Sequence, residues 1–179
     1  MQRPFPGSFA LLGCVLFCYI AQSQEHNDTE FKNGWVTYLN LDNGIVTNFH
    51  AAPDLYAGGL HLTPQYTIIT HKLRAGVNAG FVYVNKKFSG MVGPSVAMKL
   101  KSFSLGEFGG LANLQLIGEH TWGTEKQRMV GLGMGLELLQ KLIFSITTHR
   151  DYHLNNWWIQ SHIGINLKKN KATLREFNQ

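Results

Sequence analysis

Between Tyr56 and Ile68 the chain places apolar or small side chains on one set of alternate residues. Tyr56, Gly58, Leu60, Leu62, Pro64, Tyr66 and Ile68 share one phase; Ala57, Gly59, His61, Thr63, Gln65 and Thr67 share the other. Extended chain points successive side chains to opposite faces, so the run reads as a strand with one greasy and one polar side. Its length constrains the fold further. Strands of soluble domains centre on about 5–6 residues, whereas a tilted strand crossing a bilayer needs about 9–11.

The pattern recurs along the chain. It predicts strands over Trp35–Phe49, Leu55–Ile68, Lys72–Val84, Ser89–Lys101, Ala112–Trp122, Arg128–Leu138, Lys141–Arg150 and Asn156–Leu167. The connectors carry turn residues and are short: His50–Asp54, Asn85-Lys86-Lys87, Gly106–Gly110, Gly123–Lys126 and Asp151–Asn155. Short connectors join antiparallel neighbours, which implies an up-and-down meander. Asp42-Asn43-Gly44 has the chemistry of a hairpin turn, but the apolar phase continues across it. One long first strand with a kink there is expected. Pro64 and Pro94 fall inside strands and lack the ladder N–H, so a bulge is expected at each.

Alternation fits two barrels: a soluble lipocalin-like one with its apolar face inside, and a membrane one with that face outside. A Gly34-Trp35 pair is the faint lipocalin-like feature. The second face decides the matter. It carries Gly59, Gly76, Gly80, Gly93, Gly131, Gly133 and Gly135, which weaken strands but suit a crowded interior. The apolar face carries no Asp, Glu, Lys or Arg within its spans, as lipid contact requires. With the N-terminus on the periplasmic side, Phe49, Tyr56, Tyr83, Trp122 and Trp157 fall at outer strand ends and Trp35 and Tyr66 at inner ends. Those are the two aromatic girdles of a bilayer-spanning protein. The fold class expected is all-β, an eight-stranded antiparallel up-and-down transmembrane β-barrel.

The ends divide the chain. Residues 1–23 read as a signal peptide: Arg3, the apolar run Phe9–Ala21, then small residues Ala21-Gln22-Ser23. Leu11-Leu12-Gly13-Cys14 gives a weaker lipoprotein alternative. Residues 24–32 are expected to be a flexible leader, 33–168 the barrel and 169–179 a basic periplasmic tail. Both cysteines, Cys14 and Cys18, leave with the signal, so no disulfide is expected in the exported chain. The net charge of +5 includes Arg3 of the signal, and the remaining excess sits in turns and tail, without a basic helix or a stacking platform. It gives no reason to expect nucleic acid.

Eight strands, an export signal, aromatic belts and a glycine-rich polar interior together make the mature chain resemble the small OmpA/OmpX-like outer-membrane barrels. The resemblance implies residence in the outer membrane of a Gram-negative bacterium, in contact with its lipid. One departure is visible: Ile163–Leu167 closes on Leu167 where such barrels close on an aromatic residue.

The inward phase carries His61, Arg74, Lys99, Glu119, Glu137, His149 and His162. Strand direction puts Arg74, Lys99 and Glu137 toward the periplasmic end, His61, Glu119 and His162 in the middle to upper part, and His149 nearer the outer rim. Enclosed charges must pair, so a polar plug that fills the lumen is expected, with a gated ion path or a metal site of two histidines and Glu119 as alternatives. No cofactor or metal is otherwise expected. A lipid-modifying enzyme is the competing function, but Ser161-His162 point to opposite faces and His120 beside Trp122 suits a girdle. The loop Arg150, Asp151, Tyr152, His153 is the richest candidate for contact with an envelope protein partner. The expected role is structural, adhesive or complex-forming, around a non-conducting lumen.

Overall fold

The computed structural model describes residues 31, 33–49, 54–104, 111–139 and 141–167. The expected signal peptide, most of the leader, His50–Pro53, Gly106–Gly110 and the basic tail lie outside them. The strands are β1 (Trp35–Thr47), β2 (Leu55–Ile69), β3 (Leu73–Val84), β4 (Lys87–Ser104), β5 (Leu111–Gly123), β6 (Arg128–Leu138), β7 (Leu142–Asp151) and β8 (Asn156–Asn166). Each pairs antiparallel with its sequence neighbours, and β1 pairs with β8 to close the barrel. The turns after β1, β3, β5 and β7 define the upper end, and those after β2, β4 and β6 the lower.

The first strand is uninterrupted. Register with β2 and with β8 continues through Asp42, Asn43 and Gly44 without a shift, so neither a hairpin nor a register break occurs there. Two ladders hold the segment, and they outweigh the local turn preference of Asp-Asn-Gly.

The expected bulges at Pro64 and Pro94 are also absent. Thr37 pairs with Pro64 and Val77 with Pro94 in unbroken register. In an antiparallel ladder a residue's N–H points to one neighbour only, so a proline forfeits a bond on a single side. Next to Pro64, Gln65 pairs with Gly76, which lets the strands close up: a Cβ there would fall 2.7 Å from Gln65 Cα. The register shifts lie instead at Thr67/Ile69 between β2 and β3 and at Lys99/Lys101 between β4 and β5.

The outer surface is the apolar one. Mid-strand Leu132 is 66 % exposed and Ile146 64 %, and Leu41, Val77, Val92, Met134 and Ile163 point outward beside them. The inner face is not uniformly polar. At the upper end Val46, Ala57, Val82, Met129 and Trp158 pack into a buried layer with Leu55, Val84 and Met91 against it. At the lower end Phe31 is fully buried, with the Arg74 guanidinium 3.7 Å from its ring centroid and its carbonyl accepting from His71 N–H. Phe31, assigned from sequence to a flexible leader, is packed into the barrel floor.

Candidate functional site: the layered lumen

All seven ionisable residues expected in the lumen face inward, and the structure gathers them into separate layers. The lower layer centres on Glu137, which is fully buried. Its two oxygens accept from Tyr38 Oη at 2.7 Å and Arg74 Nη1 at 3.1 Å. Lys99 is within electrostatic range of Glu137 and Arg74. One carboxylate therefore faces two basic side chains.

The middle layer is built differently. Asp42 accepts from the Nδ1 of both His61, at 2.8 Å, and His162, at 2.7 Å. The far nitrogens are held as well: Asn40 Nδ2 donates to His61 Nε2 at 3.1 Å, and Thr147 Oγ1 lies 2.7 Å from His162 Nε2. In a neutral ring such partners favour the proton on Nδ1, facing the carboxylate. Beside this group Glu119 bonds His149 Nε2 at 2.9 Å and accepts from Asn78 Nδ2 at 2.6 Å. Sequence reasoning grouped the histidines and Glu119 but missed Asp42, whose neighbours Asn43 and Gly44 made it look like a turn. The strand phase that passes through Tyr38 and Asn40 was the signal for it.

Among the described residues, two small cavities lie in the lumen beside these layers. One, about 40 Å³, is bordered by Asp42, His61, Glu119, His149 and His162. The other, about 30 Å³, shares His61, Glu119 and His162 and reaches Tyr38 and Gln115. Each admits water but not a substrate. Thr147, His162 and Asp42 do fall in the order nucleophile, base, orienter. However, Thr147 is buried and neither cavity gives a substrate room to reach it. Ser161 faces outward and donates to Asn43 O at 3.0 Å, away from His162.

The girdle residues lie at both ends. Trp35 stacks obliquely on Tyr66 at 5.4 Å below, and Phe49 on Trp157 at 6.5 Å above. Tyr56, Tyr83 and Trp122 are exposed at the upper end, with Phe88 4.9 Å from Tyr83. His120 packs 4.5 Å from Trp122 and bonds Tyr152 Oη at 3.1 Å, on the outside of the wall.

The candidate partner loop divides in two. Asp151 is fully buried and serves the turn: its Oδ1 accepts from the backbone N–H of Arg128, His153 and Leu154. Arg150 bonds Asn155 and lies 5.1 Å over Trp157. Tyr152 and His153 are exposed, and His153 borders a surface cleft with Trp122, Lys126 and Arg128.

Architecture and surface define a class: a closed eight-stranded barrel with an apolar exterior and a mostly polar interior. No family model and no curated protein matches the chain. Among solved structures it is similar to a de novo designed transmembrane β-barrel at 13 % identity and a TM-score of 0.47, over 78 % of this chain and 100 % of that one. It is also similar to the designed barrel TMB2.3, solved by solution NMR, at 12 % identity and 0.47, over 79 % and 100 %. At this level the likeness carries nothing about function.

Proposed function

We propose that the protein is an outer-membrane β-barrel with a structural, adhesive or complex-forming role and a sealed, non-conducting lumen. The observation that carries the reading is the inversion of polarity across the wall. Large apolar side chains occupy the middle of the outer face while the buried interior holds the Arg74–Glu137 ion pair and a polar network. A belt of that extent is far larger than the apolar patches a soluble monomer exposes, and lipid is the solvent that fits it. Aromatics at both rims suit headgroup contact. The buried Trp158 layer above and Phe31 with Arg74 below support a lumen closed to solutes. Export by a signal peptide and a periplasmic N-terminus complete the proposal, and Tyr152 and His153 are the side chains offered to an envelope partner.

Cell fractionation, followed by electrophoresis of unheated and boiled samples, tests it. The protein is expected in the outer-membrane fraction, soluble only in detergent, with a mobility shift on boiling. Recovery in the aqueous periplasmic fraction without a shift would refute it. Reconstituted protein should give no conductance steps in planar bilayers; steady steps would refute the sealed lumen.

A further inference from the structure

The two charged layers are balanced in different ways. Glu137 sits among Arg74 and Lys99, whereas Asp42 and Glu119 share an enclosure whose lining includes no Lys or Arg. We propose that Asp42, His61 and His162 bind one divalent transition-metal ion, with Zn2+ the ion the donor set fits.

Two imidazole nitrogens and a carboxylate are the ligands such ions prefer, and three protein ligands leave a fourth position. The three donor atoms lie within 4.8 Å of one another. Tetrahedral Zn2+ with bonds of about 2.0–2.2 Å sets donors about 3.3 Å apart. Side-chain rotation suffices to open the Asp42 contacts from 2.7 and 2.8 Å. The positions themselves are fixed on hydrogen-bonded strands: Asp42 on β1 pairs directly with His162 on β8, and His61 lies on β2. Ligands carried by rigid strands are held better than ligands on loops.

The surroundings suit the ion too. On binding, each neutral ring moves its proton from Nδ1 to Nε2, with no net proton released. Asn40 and Thr147, now at the Nε2 atoms, can both accept: the amide by turning over, the hydroxyl by rotating. Such outer partners fix the tautomer that a ligand histidine needs. The cavity of about 40 Å³ beside the three residues accommodates a water as fourth ligand, within reach of Glu119. Glycine keeps the space open, since a Cβ on Gly80 would fall 2.5 Å from His61 Cβ and one on Gly59 3.2 Å from Asp42 Oδ2. The Trp158 layer packs above the site.

The test uses the full chain without a polyhistidine tag, refolded in detergent micelles with Zn2+ or Co2+ and passed through a chelator-containing desalting column. This step does not depend on membrane residence, so its outcome is separable from the fractionation result. Elemental analysis should find about one ion per chain, falling at least tenfold in Asp42→Asn and in the His61→Gln, His162→Gln double variant. His153→Ala, on the outside, should load fully. Should the variants fail the boiling-shift check for folding, X-ray absorption at the metal edge of the native chain decides, with two imidazoles and oxygen ligands expected. Folded native protein retaining under a tenth of an ion, unchanged loading in folded variants, or a metal spectrum without imidazole would each overturn the assignment.

Discussion

Replacing Glu137 by Ala should be among the most destabilising single changes in this barrel. The carboxylate is fully buried and paired with Arg74, itself 2 % exposed and capped by Phe31. Removal leaves the Arg74 guanidinium without its carboxylate and takes the acceptor from Tyr38 Oη. Breaking one side of a buried ion pair costs about 3–5 kcal/mol. The lost Tyr38 bond to a charged acceptor, about 1.5–3 kcal/mol alone, is part of the same network and does not add in full. A loss of about 3–5 kcal/mol is therefore expected, a shift of roughly a hundredfold to several-thousandfold in the folding equilibrium at about 1.4 kcal/mol per decade. Glu137→Gln keeps an acceptor for Tyr38 and should lose less. The double variant Arg74→Met, Glu137→Leu should recover most of the loss, because it leaves no orphaned charge from the pair. Reversible urea unfolding in phospholipid vesicles, read by tryptophan fluorescence and by the boiling shift, measures all four chains. A Glu137→Ala barrel within about 0.5 kcal/mol of the native chain, below the usual effect of a buried network, would refute the reasoning. So would a double variant no more stable than Glu137→Ala.

Leu132→Arg, on the outer face at mid-strand, should lower stability in vesicles by about 2–4 kcal/mol; an unaffected urea midpoint would argue against lipid contact. Trp158→Ala should cost about 3–5 kcal/mol by the same assay, since it empties the centre of the upper layer. Asp151→Ala removes the acceptor for three backbone N–H groups. Amide exchange at His153 and Leu154 should accelerate at least tenfold, while exchange in β1–β3 stays unchanged.

The strands were legible because period 2 is a strong local signal and ten or more residues repeat it. All eight appear in the expected order, most ends within a residue or two; β4 runs further, from Lys87 to Ser104. What escaped was set by partners distant in sequence. Asp42 carries local turn chemistry that only the two flanking ladders override. The bulges at Thr67/Ile69 and Lys99/Lys101 have no proline to announce them. The upper apolar layer breaks the rule that the inner face is polar, and its trace is where both phases turn apolar together, as at Trp157-Trp158 and Phe81-Val82-Tyr83. Phe31 stands outside any periodic segment, so nothing local tied it to Arg74.

Asp42 also stands at the place where the first and last strands meet. Its bond to His61 joins sequence neighbours β1 and β2, but its bond to His162 spans 120 residues. A sheet that has paired β1 through β8 without joining its edges leaves one carboxylate oxygen and one imidazole unmatched. Contacts of such separation form late, after the chain entropy of the whole meander has been spent. The His162 bond thus acts as a latch on ring closure, and it rewards the one step of assembly that no hairpin turn can guide.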